Sequence, residues 1–235
     1  MKISIFKWYR NVSIAKKLYF TVGIMALLIA VELFVLIFAI NTLSSVRAYV
    51  NGEGLWSKAQ KDGVYQLQKY ARTHDEADYL KFREFMKVNL GDHKTRLELI
   101  KPHPDMDVAR QGFLEGRNHK DDIDGMIHLI RRFDNNPYIK RAIAAWTQAD
   151  DVVAAFNRIA DSLHDEIDKP SPSQPQINVL LDRIDPVYAQ LSPLEDEFSN
   201  ALGEGSRWLE HTVLGLLFIV ALTVECTGLT LAITV

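Results

Sequence analysis

The sequence predicts an all-α membrane protein: two transmembrane helices continuous with an extracytoplasmic up-down four-helix bundle that carries extra short helices. Three observations lead there. Two apolar runs, residues 18–40 and 212–235, contain one charged residue each, Glu32 and Glu225. The long segment between them repeats apolar residues at three- to four-residue steps, the period of a helix with one buried face. No run alternates with period two, so no strand is expected.

Each apolar run has the length needed to cross a hydrocarbon core, roughly 20 residues at a rise of about 1.5 Å per residue. Neither contains proline. A cleaved signal peptide has a shorter apolar core followed by small residues. Here the first run passes directly into more helix-forming sequence, which favours a retained span. The tail at residues 1–17 carries Lys2, Lys7, Arg10, Lys16 and Lys17 and no acid. Short basic flanks stay on the cytoplasmic side. The expected order is therefore a cytoplasmic tail (1–17), a first span (18–40), a periplasmic domain (41–211) and a second span (212–235) returning inward, in a bacterial inner membrane. No Lys or Arg follows the second span, so a further cytoplasmic portion is expected beyond Val235.

The net charge of -3 hides an uneven distribution. Between the runs there are 28 acids and 22 bases, the chain's totals of 30 and 27 less the two span carboxyls and the five tail bases. An acidic domain of this kind argues against nucleic-acid binding, which draws on a basic face. The lone cysteine, Cys226, excludes an intrachain disulfide and a thiolate metal cluster.

The middle segment reads in order as follows. Val46, Val50, Leu55, Trp56, Ala59, Val64, Leu67 and Ala71 extend the first helix to about Thr73, and His74 and Asp75 open a turn. A second pattern covers Glu76 to about Ile100, with Gly91 and Asp92 as a point of interruption or kink. The Lys101–Asp105 stretch, with two prolines, is a firm break. Two short patterns follow, Met106–Glu115 and Asp121–Phe133, separated by Gly116, Arg117, Asn118 and His119. Asn136 and Pro137 mark a helix start, cap then first turn, for a helix running to about Ile167. Another proline-rich turn precedes the last pattern, Ile177 to Leu202, which runs into Trp208 and the second span. Pro186 and Pro193 are placed to bend it, and Gly203 and Gly205 to loosen its junction with the span.

Four clusters have chemistry to offer. Glu32, eight residues short of Ile40, and Glu225, thirteen beyond Thr212, lie near mid-membrane. A carboxyl there costs several kcal/mol and normally faces a partner or a wet cavity. The pair reads either as a polar lock between helices, within a protomer or across a dimer, or as carboxyls bonded to a Thr or to backbone. Gly52 and Gly54 inside the first helix, each costing about 1 kcal/mol relative to Ala, mark a close helix approach or a kink; the alternative is local fraying with Trp56 in the core. Arg110, Gln111, Glu115, Arg117, Asn118 and His119 combine guanidinium forks with amides, which suits a small anionic ligand; the alternative is a solvated helix face and cap. Asp122, Asp124 and Gly125 resemble part of a calcium loop, but Lys120 and Arg131 stand where the first and last ligands belong. The seven histidines have no metal-ligand spacing, and no catalytic motif is present, so no catalytic residue, metal or cofactor is expected.

The layout resembles the input half of bacterial transmembrane sensors: chemoreceptors, sensor histidine kinases, and diguanylate cyclases or phosphodiesterases. The stretch NTLSSVRAYVNGEGLWSKAQKD from Asn41 to Asp62 is similar to the start of the external region in one group of them. So are YART at Tyr70, VARQGFLEGRNHKDDIDGM from Val108 and the Glu-Cys-Thr-Gly pattern at Glu225. The resemblance covers nearly the whole chain. It implies a non-enzymatic homodimer that senses an external small molecule or periplasmic binding protein and passes a helix displacement to a cytoplasmic output. Two rivals remain at this point: an anchored external enzyme, for which no acid, base and nucleophile converge, and a membrane-anchored scaffold that binds another protein.

Overall fold

The computed structural model describes residues 13–234, with side chains at Ile14 and 231–234 left aside. Lys2, Lys7 and Arg10 of the basic tail lie outside the described residues. All regular structure among the described residues is helical: α1 (Ile14–Thr73), α2 (Glu76–Leu99), α3 (Met106–Glu115), α4 (Lys120–Arg132), α5 (Pro137–Ile167), α6 (Gln174–Asp182), α7 (Ile184–Tyr188) and α8 (Leu191–Thr234). The chain divides into two compact units. One comprises the residues up to Asn41 and from Arg207 onward, the other Thr42–Ser206.

In the first unit, the outer parts of α1 and α8 are long and apolar enough to cross a membrane. Their most apolar stretches have mean hydropathy 2.8 and 2.0, and only 6% of each is buried. Leu18, Phe20, Leu27 and Phe34 on α1 and Leu216, Phe218 and Ile219 on α8 are exposed. Polar hydroxyls in these segments turn back on their own helix. Thr21 Oγ1 donates to the Lys17 carbonyl, and on α8 Thr223, Thr227 and Thr230 donate to the carbonyls four residues earlier at 2.7 Å. That i−4 pattern satisfies a hydroxyl without water.

The second unit is delimited by its caps. Asp75, Asp105 and Asn136 each accept from backbone N–H groups of the following first turn, at 2.9–3.2 Å, which satisfies donors that a helix start leaves unpaired. His74 takes a positive φ of 53° at the α1–α2 turn. The break after α2 is tied by Arg131 of α4, whose guanidinium donates to the carbonyls of Leu99, Lys101 and Pro102. The residue that stands in place of a calcium-loop glutamate thus caps the C-terminal end of α2.

Two expectations about irregularity change. α2 runs unbroken through Gly91 and Asp92, because Gly91 is a packing residue: a Cβ there would lie 2.6 Å from the Gly112 carbonyl on α3. The last pattern, by contrast, is divided into α6, α7 and α8. Pro175 and Pro193 fall in the first turns of α6 and α8, where proline costs no internal hydrogen bond. α8 is then continuous through Gly203 and Gly205.

Two apolar clusters make the core of this unit. One gathers Trp56, Leu67 and Tyr70 of α1 with Phe82, Met86, Phe156, Leu163, Ile177, Ile184 and Leu191. The other gathers Tyr49 with Phe113, Met126, Ile130, Trp146 and Leu202. A buried ion pair stands beside them: Arg96 Nε donates to Asp150 Oδ2 and Arg96 Nη1 to Thr147 Oγ1, with both charged side chains under 7% exposed. His93 Nδ1 lies 2.9 Å from the same Asp150 oxygen.

Candidate functional site

On α1, Tyr49, Gly52, Glu53 and Trp56 recur at i, i+3, i+4 and i+7, one stripe of a helix. That stripe walls a partly open cavity of about 50 Å³. The remaining walls come from Asp92 (α2), Phe113 (α3), Asn118, Met126 (α4), Ala145, Trp146 and Ala149 (α5), and Leu194, Glu195 and Phe198 (α8). Tyr49 meets Phe113, Trp146 and Phe198 edge-on, with ring centroids 5.8–6.3 Å apart. Trp146 and Phe198 repeat that geometry at 6.1 Å. Such edge-to-face contacts fix the rings beyond what area burial alone does.

A polar node sits in this aromatic box. The end of α3 sets it: Gly116 and Arg117, the latter with φ 61°, reverse the chain so that the Asn118 N–H returns to the Phe113 carbonyl at 3.0 Å. Asn118 Nδ2 then donates to Asp92 Oδ1 and to the same Phe113 carbonyl, both at 3.1 Å. Two glycines make the room. A Cβ on Gly52 would fall 2.5 Å from Asn118 Oδ1, and one on Gly116 would fall 2.2 Å from Asp92 Oδ1. Gly52 therefore serves close approach, within an unbroken helix, whereas a Cβ at Gly54 would meet open space.

Electrostatically the cavity is acidic. Burial pushes the Asp92 carboxyl well above the usual carboxylate range; the Asn118 hydrogen bond opposes this, and the charge of Asp150 adds to it. Among the described residues Asp92 accepts one hydrogen bond, from Asn118. Burial also raises Glu53, with Glu195 pushing the same way; the Ser199 hydroxyl, 3.4 Å away, and Lys61 pull it down. Burial, then Asp92, raises the Tyr49 hydroxyl, which donates to the Met126 carbonyl at 3.0 Å. No Lys, Arg or His lines the cavity. Trp56 is 6% exposed and its indole N–H has no hydrogen-bond partner, an arrangement that normally calls for a water or a ligand.

Of the residues singled out from sequence, Gly52, Glu53, Trp56 and Asn118 meet here. Arg110, Gln111, Arg117 and His119 do not join them. Arg110 is exposed and bonded to Asp107 and Asp124 on the surface. Gln111 Nε2 donates to Glu115, itself paired with Lys94. Arg117 lies over the Phe85 ring at 6.0 Å. His119 caps α4, accepting from Asp121 N at 3.3 Å. Each cation is occupied by a neighbour, so the guanidinium forks do not converge on a shared anion. Glu32 is partly exposed and Glu225 exposed, and neither forms a hydrogen bond or ion pair among the described residues.

Tyr49, Asp92, Trp146 and Phe198 were not read from sequence as site residues. The stripe from Tyr49 to Trp56 was the available sign; Asp92 had none, because an acid after Gly91 reads as a break. The described residues hold no cluster of three or more His, Cys, Asp or Glu suited to a metal ion. No family model matches the chain, and no curated protein and no solved structure is significantly similar to it.

Proposed function

We propose that the chain is the input module of a two-span transmembrane receptor, with Thr42–Ser206 an extracytoplasmic up-down bundle acting as a homodimer. The observation that carries this reading is the source of the cavity walls. Tyr49, Glu53 and Trp56 belong to α1, and Leu194, Glu195 and Phe198 to α8, the two helices that also contain the apolar stretches. An occupant would touch both at once. A ligand can shift an equilibrium only by its differential contacts with two states, and shifts of about 1–2 Å between helices are a common form of such switching. In a dimer, Glu32 and Glu225 would meet a partner's helices and bias which packing of the spans is stable.

Two experiments test the reading. In the first, Cys226 is replaced by Ser and single cysteines are placed at the exposed Asp121 and at Lys16. An impermeant maleimide should label 121 but not 16 in cells with a permeabilised outer membrane. In the second, the chain is fused through its C-terminal end to a cytoplasmic kinase output. Ala145→Phe, which fills the cavity, and Trp146→Ala, which enlarges it, should both shift output, while Val179→Ala on the exposed face of α6 should not. Labelling at 16 alone, or identical output from the filled, enlarged and untouched cavities, overturns the proposal.

A further inference from the structure

The chemistry of the cavity indicates what it holds. Its lining includes the aromatic residues Tyr49, Trp56, Trp146 and Phe198, aliphatic side chains such as Met126 and Leu194, and the acids Asp92, Glu53 and Glu195, with no basic residue. An anion placed there would meet three acids and no compensating charge, and buried unpaired charge is strongly disfavoured. A purely apolar occupant would leave Asp92, 5% exposed, with its single hydrogen bond from Asn118. A cation meets both requirements, because aromatic faces attract positive charge and the carboxyls neutralise it.

We propose that the cavity binds a compact organic ammonium ion, its head seated among Tyr49, Trp56, Trp146 and Phe198 and its charge balanced by Asp92 and Glu53. The proposal deepens the receptor reading and rests on it for the meaning of the cavity. Asp92 is the inner counter-ion. It is held by Asn118, which is in turn fitted between Gly52 and Gly116, so its position is set before any ligand arrives. Glu53 and Glu195 also line an adjoining cleft, where with Asp62 and Asp196 they outnumber Lys58 and Lys61 and so favour cations. A hydroxyl on the ligand would accept from the indole N–H of Trp56, which has no other partner. Burial raises the Asp92 carboxyl and a cation bound beside it favours the ionised form, so binding should strengthen as pH rises. The groups facing Asp92 that bear on this are Tyr49 from α1, Asn118 and, from α5, Asp150.

The test uses the full chain in dodecyl maltoside, which has no ammonium group. Three probes of one shape are titrated calorimetrically: choline, the neutral 3,3-dimethylbutan-1-ol and the anionic 3,3-dimethylbutanoate. Choline should bind saturably and roughly thirtyfold more tightly than the alcohol, the ratio expected of a desolvated cation–aromatic site. The anion should be weakest. Asp92→Asn, nearly the same shape, should collapse the choline-to-alcohol ratio while leaving the alcohol's affinity unchanged. Glu53→Gln should lower the ratio partially. An alcohol or anion that binds as tightly as choline, or a ratio that survives Asp92→Asn, overturns the ammonium assignment and leaves the receptor reading in place. If none of the three binds, the assignment also fails. The receptor reading fails separately, when the fused output ignores filling of the cavity.

Discussion

One added carbon should distinguish two kinds of glycine, Gly112 at the crossing of α2 and α3 and Gly54 on α1. A Cβ at Gly112 would stand 2.2 Å from Thr95 Oγ1, 2.6 Å from the Gly91 carbonyl oxygen and 3.0 Å from Thr95 N. The first neighbour is a short side chain anchored by its own bond to the Ala109 carbonyl at 3.0 Å, and the other two are backbone, so the helices must separate. Overpacking of this kind costs about 1–3 kcal/mol, and losing the Thr95 bond adds about 1 kcal/mol. The better helix propensity of Ala returns about 1 kcal/mol. Gly112→Ala should therefore destabilise by about 2 kcal/mol, lowering Tm by about 4–8 °C at this size. Gly54→Ala is the same chemical change with nothing within 4 Å of the new carbon; only the propensity term survives, and Tm should rise by about 2–4 °C. Thermal circular dichroism of the full chain in detergent reads both. If Gly112→Ala is neutral or stabilising, α2 and α3 do not approach as closely as described.

Two further outcomes follow from the buried charges. Arg96→Met leaves Asp150 buried without its cation and should cost about 3–5 kcal/mol, most of which Arg96→Met with Asp150→Leu should recover; chemical denaturation of single and double variants checks this. Asp92 has a folded-state pKa raised by burial, so the folded form binds its proton more tightly than the unfolded form does. Its contribution to stability must fall as pH rises from the unfolded value, about 3.9, through the raised folded value, and Asp92→Asn should flatten that descent in a pH series of melting temperatures.

The helices and their ends were largely legible. The Asn136–Pro137 start and the turn at His74–Asp75 rest on local chemistry, in which a side chain caps its own next turn, and local chemistry is written in adjacent letters. What depends on contact between distant segments was misread or unseen. Gly91 looked like an interruption because its reason, the backbone of Gly112, is twenty-one positions away. Arg110 and Arg117 looked like a ligand cluster because adjacency in sequence says nothing of Asp124 or Phe85, which occupy them. Asn118 was singled out as part of an anion site, and its actual partner is an acid. The residue types that can serve a site were visible, but their electrostatic company was not.

The threonines of α8 bear on how this helix meets its surroundings. With each hydroxyl of Thr223, Thr227 and Thr230 spent on the turn beneath it, the side chain shows its neighbours mainly a methyl group and the outline of valine. Residue-by-residue hydropathy counts them as polar and so understates how dry this rod is on its outside. Among the described residues of that stretch Glu225 is the one charged group, and its polarity is not quenched by its own helix, so it is there that a second helix would find something to hold.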